Sequence, residues 1–140
     1  MVTATLQSRP EVYSPHHDRL SALVAYLGKL VLAPEGRHEC AHVIFVDGCR
    51  SFLGDAGVGM GSLGALSLRM REVFGEALRL GARGMILAHN HPSGDCRPSG
   101  SDIAATRRLA EVARALDIEL IDHLIFTTDA VYSMRAGGLL

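Results

Sequence analysis

The chain has 140 residues, the size of one ordinary domain, with 48% apolar, 21% charged and 5% aromatic residues. That balance excludes a disordered or fibrous chain, and a chain this long buries roughly two thirds of its extended surface. Fourteen Lys plus Arg against fifteen Asp plus Glu leave a net charge of −1, which argues against a general field for nucleic acid or acidic membranes. Cys40, Cys49 and Cys96 are too few and too scattered for a disulfide framework or a four-thiolate zinc site. They read as free thiols of a reducing cytoplasm. Residues 1–17 lack the apolar core of a signal peptide and are expected to form a flexible arm. The apolar stretch Leu20 to Ala33 is short for a bilayer and carries Lys29, so a soluble, cytoplasmic protein is expected.

From Asp18, a plausible N-cap, Leu20, Leu23, Val24, Leu27, Leu30 and Val31 recur at helical spacing until Pro34 and Gly36. Ala41 to Val46 reads as a strand. Asp47-Gly48 turns it into a second strand at Arg50 to Leu53. Five glycines at 54, 57, 59, 61 and 64 read as a flexible loop, since the Gly-Lys-Ser/Thr ending of a phosphate loop is absent. Leu68 to Leu80 has helical periodicity and stops at Gly81. Gly84 to Ala88 is an apolar strand that runs into His89, and a helix follows from about Asp102 to Leu116, capped by Ser101 or Ser99. Ile118 to Phe126 and Val131 to Met134 close the chain as strands around a turn at Asp129. This order predicts an α/β sandwich, a mixed β-sheet flanked by helices, over residues 18–140.

The segment from His89 to Asp102 carries the chemistry. Histidines at i and i+2 of an extended strand face one side, about a zinc site's width apart, while Asn90 faces the other. Asp102 arrives at a helix start after the chain has turned back. Two imidazoles and one carboxylate form a common catalytic zinc shell, with a fourth position open for water. Other readings stand beside this one. Strand-end histidines are often only polar surface. Asp102 would also favour a helix N-terminus, and Ser99-x-x-Asp102 resembles a capping box. Neither alternative accounts for His89, His91, Ser99 and Asp102 occurring together.

His-x-His, seven residues, Ser99, two residues and Asp102 resemble the JAMM signature of the JAB/MPN metalloprotease superfamily. The wider wording, HNHPSGD, then IDHLI and YSMRAGGLL, is similar to the RadC branch from about Glu39 to the C-terminus. The resemblance implies a JAB/MPN (cytidine-deaminase-like) sandwich and one zinc ion per chain, bound by His89, His91 and Asp102. It further implies Ser99 as the residue that steadies a tetrahedral intermediate. Glu39, directly ahead of the first strand, becomes the general base. Spacing alone does not select Glu39 among seven glutamates, and its plain reading is a charged strand edge.

The implied activity is zinc-dependent hydrolysis of a peptide or isopeptide bond in a protein or peptide substrate. Substrate selection is expected in the loops 54–67 and 92–101. The family's DNA-repair label makes a DNA-associated factor the second reading, but the near-zero charge and lack of an aromatic-interleaved basic stripe weigh against direct nucleic-acid binding. A non-catalytic MPN scaffold is the third, and such scaffolds typically lose the ligand set that this chain keeps. No signal for an oligomeric state is present.

Cys96 stands where RadC-like chains usually have proline, and Leu68, Arg69 and Met70 replace a more usual Val-His-Pro. The letters HNH do not make a nuclease, whose residues are spread over a ββα motif. Asp122 and His123 alternate to opposite faces and are expected to be structural or supporting residues. His16, His17, His38 and His42 read as surface or strand residues.

Overall fold

The computed structural model describes residues 15–32, 38–60 and 69–140. Helix α1 (Pro15–Leu32) is followed by β1 (Cys40–Val46) and β2 (Phe52–Met60). Then come α2 (Met70–Arg79), β3 (Gly84–Asn90), α3 (Gly100–Ala115), β4 (Glu119–Phe126) and β5 (Val131–Ser133). The strands form one sheet in the order β2-β1-β3-β4-β5. Only β3 and β4 are parallel, and α3 supplies the crossover that a parallel pair needs. The α/β sandwich with a mixed sheet is therefore present.

Strand alternation divides the core. Val43, Phe45, Met85 and Leu87 face α2 and α3, where they pack with Val73, Phe74, Ala77 and Leu109. Ile44, Val46, Ile86 and Ala88 face α1, against Leu27 and Val31. With helices on both sides, central β3 is buried along its whole length, which explains its nearly unbroken apolar run.

The local signals mostly place the elements well. Asp47 closes the β1–β2 turn, its amide donating to the Ser51 carbonyl at 3.0 Å and its Oδ1 accepting from Cys49 and Ser51 N–H. Gly81, at φ +65°, ends α2, and the amides of Gly81 and Ala82 donate to the carbonyls of Leu78 and Ala77. This is the Schellman geometry that glycine favours. Helix α1 begins at Pro15, ahead of Asp18, because proline's fixed φ suits the first helical position. Of the arm expected over residues 1–17, residues 15–17 belong to α1, and residues 1–14 lie outside the described residues, as do Pro34, Gly36, Gly61 and Gly64.

A further expectation is overturned. The glycine-rich stretch is not a loop from residue 54, because β2 runs to Met60 and includes Gly54, Gly57 and Gly59. Among the described residues the strand pairs with β1 on one side only, and its register shifts twice. Small residues suit such an irregular edge. At Gly54 there is a direct steric reason: a Cβ would lie 3.0 Å from Leu80 Cδ1 of the neighbouring segment.

Candidate metal centre

The histidine pair lies where β3 ends. His89 is the penultimate residue of the strand, and the His91 amide extends the ladder by donating to the Phe126 carbonyl at 2.9 Å. Both side chains therefore project toward the α3 side, as period-two geometry requires. Their Nε2 atoms are 2.9 Å apart. Asp102 Oδ2 lies 3.2 Å from His91 Nε2 and 3.6 Å from His89 Nε2. Glu39, immediately before β1, places Oε1 3.9 Å from His91 Nε2. Glu39, His89 and His91 bring their ligand atoms within 4.8 Å of one another. Four of the five residues implied by the resemblance, Glu39, His89, His91 and Asp102, thus lie together, and Ser99 sits beside Asp102 at the start of α3.

These spacings suit a metal. Ligands at a zinc distance of about 2.0–2.1 Å in a tetrahedron lie about 3.3 Å apart. The separations of 2.9, 3.2 and 3.6 Å among His89, His91 and Asp102 bracket that value. The donor chemistry agrees as well. His91 Nδ1 lies 2.8 Å from the Asp95 carbonyl, which can only accept, so Nδ1 carries the proton and Nε2 is bare. A bare imidazole nitrogen and a carboxylate oxygen turned to the same point offer lone pairs that a cation would bridge. The residues present therefore fit a metal ion.

Ser99 and Asp102 also form the capping box. Ser99 is the N-cap of α3 and its Oγ accepts from the Asp102 amide at 3.1 Å, while Asp102 Oδ2 accepts from the Ser99 amide at 2.8 Å. Capping and facing the histidines, alternatives in sequence, are performed by the same side chain. Burial opposes ionisation of Asp102, but the bonds its carboxylate accepts, that from the Ser99 amide among them, outweigh it and hold the carboxyl well below the usual range. Ser99 Oγ lies 3.0 Å from Ser101 Oγ at the exposed end of the helix. Cys96 is a buried free thiol in the intervening loop.

Three further residues stand against this cluster, and sequence reading gave a supporting place to His123 but no role to Asn90 or Thr106. Asn90, 1% exposed, accepts from the Cys40 amide at 2.6 Å and donates to the His38 carbonyl at 2.9 Å. It grips the backbone on both sides of Glu39. A polar residue within a buried strand was the available signal. His123, fully buried on β4, places Nε2 2.7 Å from His89 Nδ1. Burial, aided by repulsion from His89, pushes its pKa well below the ordinary imidazole value. Thr106, one helical turn after Asp102, lies 2.6 Å from His123 Nδ1, and that i+4 spacing was visible in the sequence. Asp122 turns away and accepts from Ser133 Oγ and the Arg135 amide.

A family model described as the RadC-like JAB domain matches residues 18–139. The chain belongs to this family. Its JAB domain is 37% identical to the UPF0758 protein of Bordetella avium over 139 residues, which cover 99% of this chain and 59% of that protein. It is 42% identical to the UPF0758 protein of Symbiobacterium thermophilum over 112 residues, or 78% of this chain and 48% of the relative. Identity to the Roseiflexus castenholzii UPF0758 protein is 49% over 80 residues, covering 57% of this chain and 34% of the relative. The chain spans less than two thirds of the length of each. No helix among the described residues is long and apolar enough to cross a membrane.

Proposed function

We propose that this RadC-like JAB domain is a zinc-dependent hydrolase of peptide or isopeptide bonds, acting on a protein or peptide substrate in the cytoplasm. The convergence of His89 Nε2, His91 Nε2 and Asp102 Oδ2 with the Glu39 carboxylate beside them carries the proposal. Membership of the RadC-like JAB family supports it. One zinc ion held by His89, His91 and Asp102 would supply polarisation of the scissile carbonyl and a water acidified toward neutrality.

The remaining work falls to the chain. Glu39, with a side chain 34% exposed, stands at the mouth of the cluster and within reach of solvent. Its carboxylate takes the proton of the attacking water and returns it to the leaving amine. Ser99, the N-cap of α3, accepts from the Asp102 amide and so keeps its hydroxyl proton, which Ser101 Oγ at 3.0 Å can take in the resting site and which it would offer to the developing oxyanion. Asn90 holds the backbone that carries Glu39.

Glu39 also lies near enough to the histidines to be a ligand itself. Substitution Glu39→Gln separates the two roles. As the base, Glu39 can be replaced with retention of about one zinc per chain while hydrolysis of isopeptide-linked substrates stops. Loss of zinc from this variant makes Glu39 a ligand. Full activity in it overturns the proposal, as does failure of the wild-type protein to take up zinc. Used as a substrate trap, the same variant is expected to retain proteins bearing isopeptide-linked modifiers. Recovery of nucleic acid alone would favour a DNA-associated role.

A further inference from the structure

His89 reaches Asp102 by a second route, through the interior. His89 Nδ1 lies 2.7 Å from His123 Nε2, and His123 Nδ1 lies 2.6 Å from Thr106 Oγ1. Thr106 Oγ1 is also 2.6 Å from the backbone carbonyl of Asp102. His89, His123 and Thr106 are 2%, 0% and 0% exposed, so water does not share these bonds.

The direction of each bond follows from its last acceptor. A carbonyl cannot donate, so the single hydroxyl proton of Thr106 goes to Asp102, the usual i to i−4 bond of a helical threonine. Thr106 Oγ1 then accepts, and His123 must donate from Nδ1. His123 is fully buried, and among the described residues no carboxylate pairs with its ring, so the ring carries a single N–H and Nε2 is left bare. That nitrogen accepts from His89 Nδ1–H, and His89 Nε2 is bare in turn. The opposite direction would press two lone pairs together at 2.6 Å between Thr106 and Asp102. Met134 Sδ, 3.6 Å from Thr106 Oγ1, is a weaker and more distant acceptor.

We infer that His123 and Thr106 are positioning residues that fix the tautomer of His89, and that they tie it to the same turn of α3 that presents Asp102. The inference rests on the metal reading of the cluster. Its content is more specific: a ligand histidine is oriented by a neutral histidine and a threonine, where a carboxylate or a backbone carbonyl commonly does so. One hydrogen-bonded path from α3 through β4 to β3 thus sets two of the three proposed ligands together.

The test compares Thr106→Val with Thr106→Ser. Zinc affinity is measured by competition with a chelator, and the tautomer is read on His123, which the metal does not touch, by imidazole-nitrogen NMR. Wild-type His123 is expected to carry its proton on Nδ1. In Thr106→Val that nitrogen loses its acceptor, the proton moves to Nε2, and His89 is driven to the tautomer that competes with metal. Zinc affinity then falls roughly 10–100-fold. Thr106→Ser keeps the hydroxyl and is expected to keep both the tautomer and the affinity, despite its missing methyl. A role in packing alone reverses the order, because valine preserves shape and serine does not. Wild-type His123 protonated on Nε2 overturns the inference without any variant, as does unchanged zinc affinity in Thr106→Val. If the wild-type protein takes up no zinc, the proposed function fails, and the tautomer comparison still judges the relay.

Discussion

His89 lies in the interior, on the central strand, with a fully buried histidine behind it. His91 stands one residue beyond the strand, with its ring tied to a carbonyl of the exposed loop at Asp95. Both offer Nε2 to the same point, but the first is oriented by the core and the second by a loop. A site built this way has one half set by folding itself. Its other half depends on the turn from Pro92 to Arg97, where a substrate would also approach.

Removing each ring gives the largest expected contrast. His89→Ala and His91→Ala should both abolish stoichiometric zinc binding, since each deletes one of three protein ligands. In metal-free protein they should differ. His89→Ala leaves a cavity and an unpaired His123 Nε2, and it is expected to lower stability by about 2–4 kcal/mol. His91→Ala removes a half-buried ring from a loop and should cost about 1 kcal/mol or less. Urea unfolding in the presence of a chelator measures both. Equal losses would show that the two histidines are held alike.

Asn90 sharpens the comparison from the opposite face of the same strand. Replacing it with leucine strands the Cys40 amide and the His38 carbonyl, at an expected cost of about 1–3 kcal/mol. Zinc stoichiometry should survive, because neither histidine is touched, while Glu39-dependent turnover falls. Loss of metal from Asn90→Leu would instead mean that the two faces of β3 are not independent.

What sequence could reveal depended on the range of the interaction. Asp47-Gly48, Gly81 and the His-x-His spacing are local signals, and the structure places each as its backbone chemistry requires. Glu39 needed the family resemblance, because fifty positions separate it from His89. Asn90 bonds to Cys40 across 50 residues and His123 bonds to His89 across 34, so no periodicity announces either contact. Alternation did place Asp122 and His123 on opposite faces, but it could not name their partners. The glycines of β2 misled for a different reason. Glycine marks loops by its backbone freedom, whereas Gly54 answers a close approach of Leu80 that exists only after folding.

The smallest expected effect lies at the outer end of the loop half. Arg97 donates from Nε and Nη2 to the Asp95 carboxylate, at 3.0 and 2.6 Å. These bonds, with the Arg97 amide, lower the Asp95 pKa to about 2 from an ordinary 3.8. A carboxyl depressed by folding stabilises the folded form above its ordinary value, and that contribution fades as pH falls toward about 2. Both groups are exposed, so the contribution is small and screened by salt. Arg97→Gln should return Asp95 toward 3.8, as read by carboxyl NMR titration. Zinc affinity should weaken by no more than about fivefold, because only the loop that presents the Asp95 carbonyl to His91 is loosened. A loss as large as that from Thr106→Val would mean that the loop orients the site as firmly as the core does.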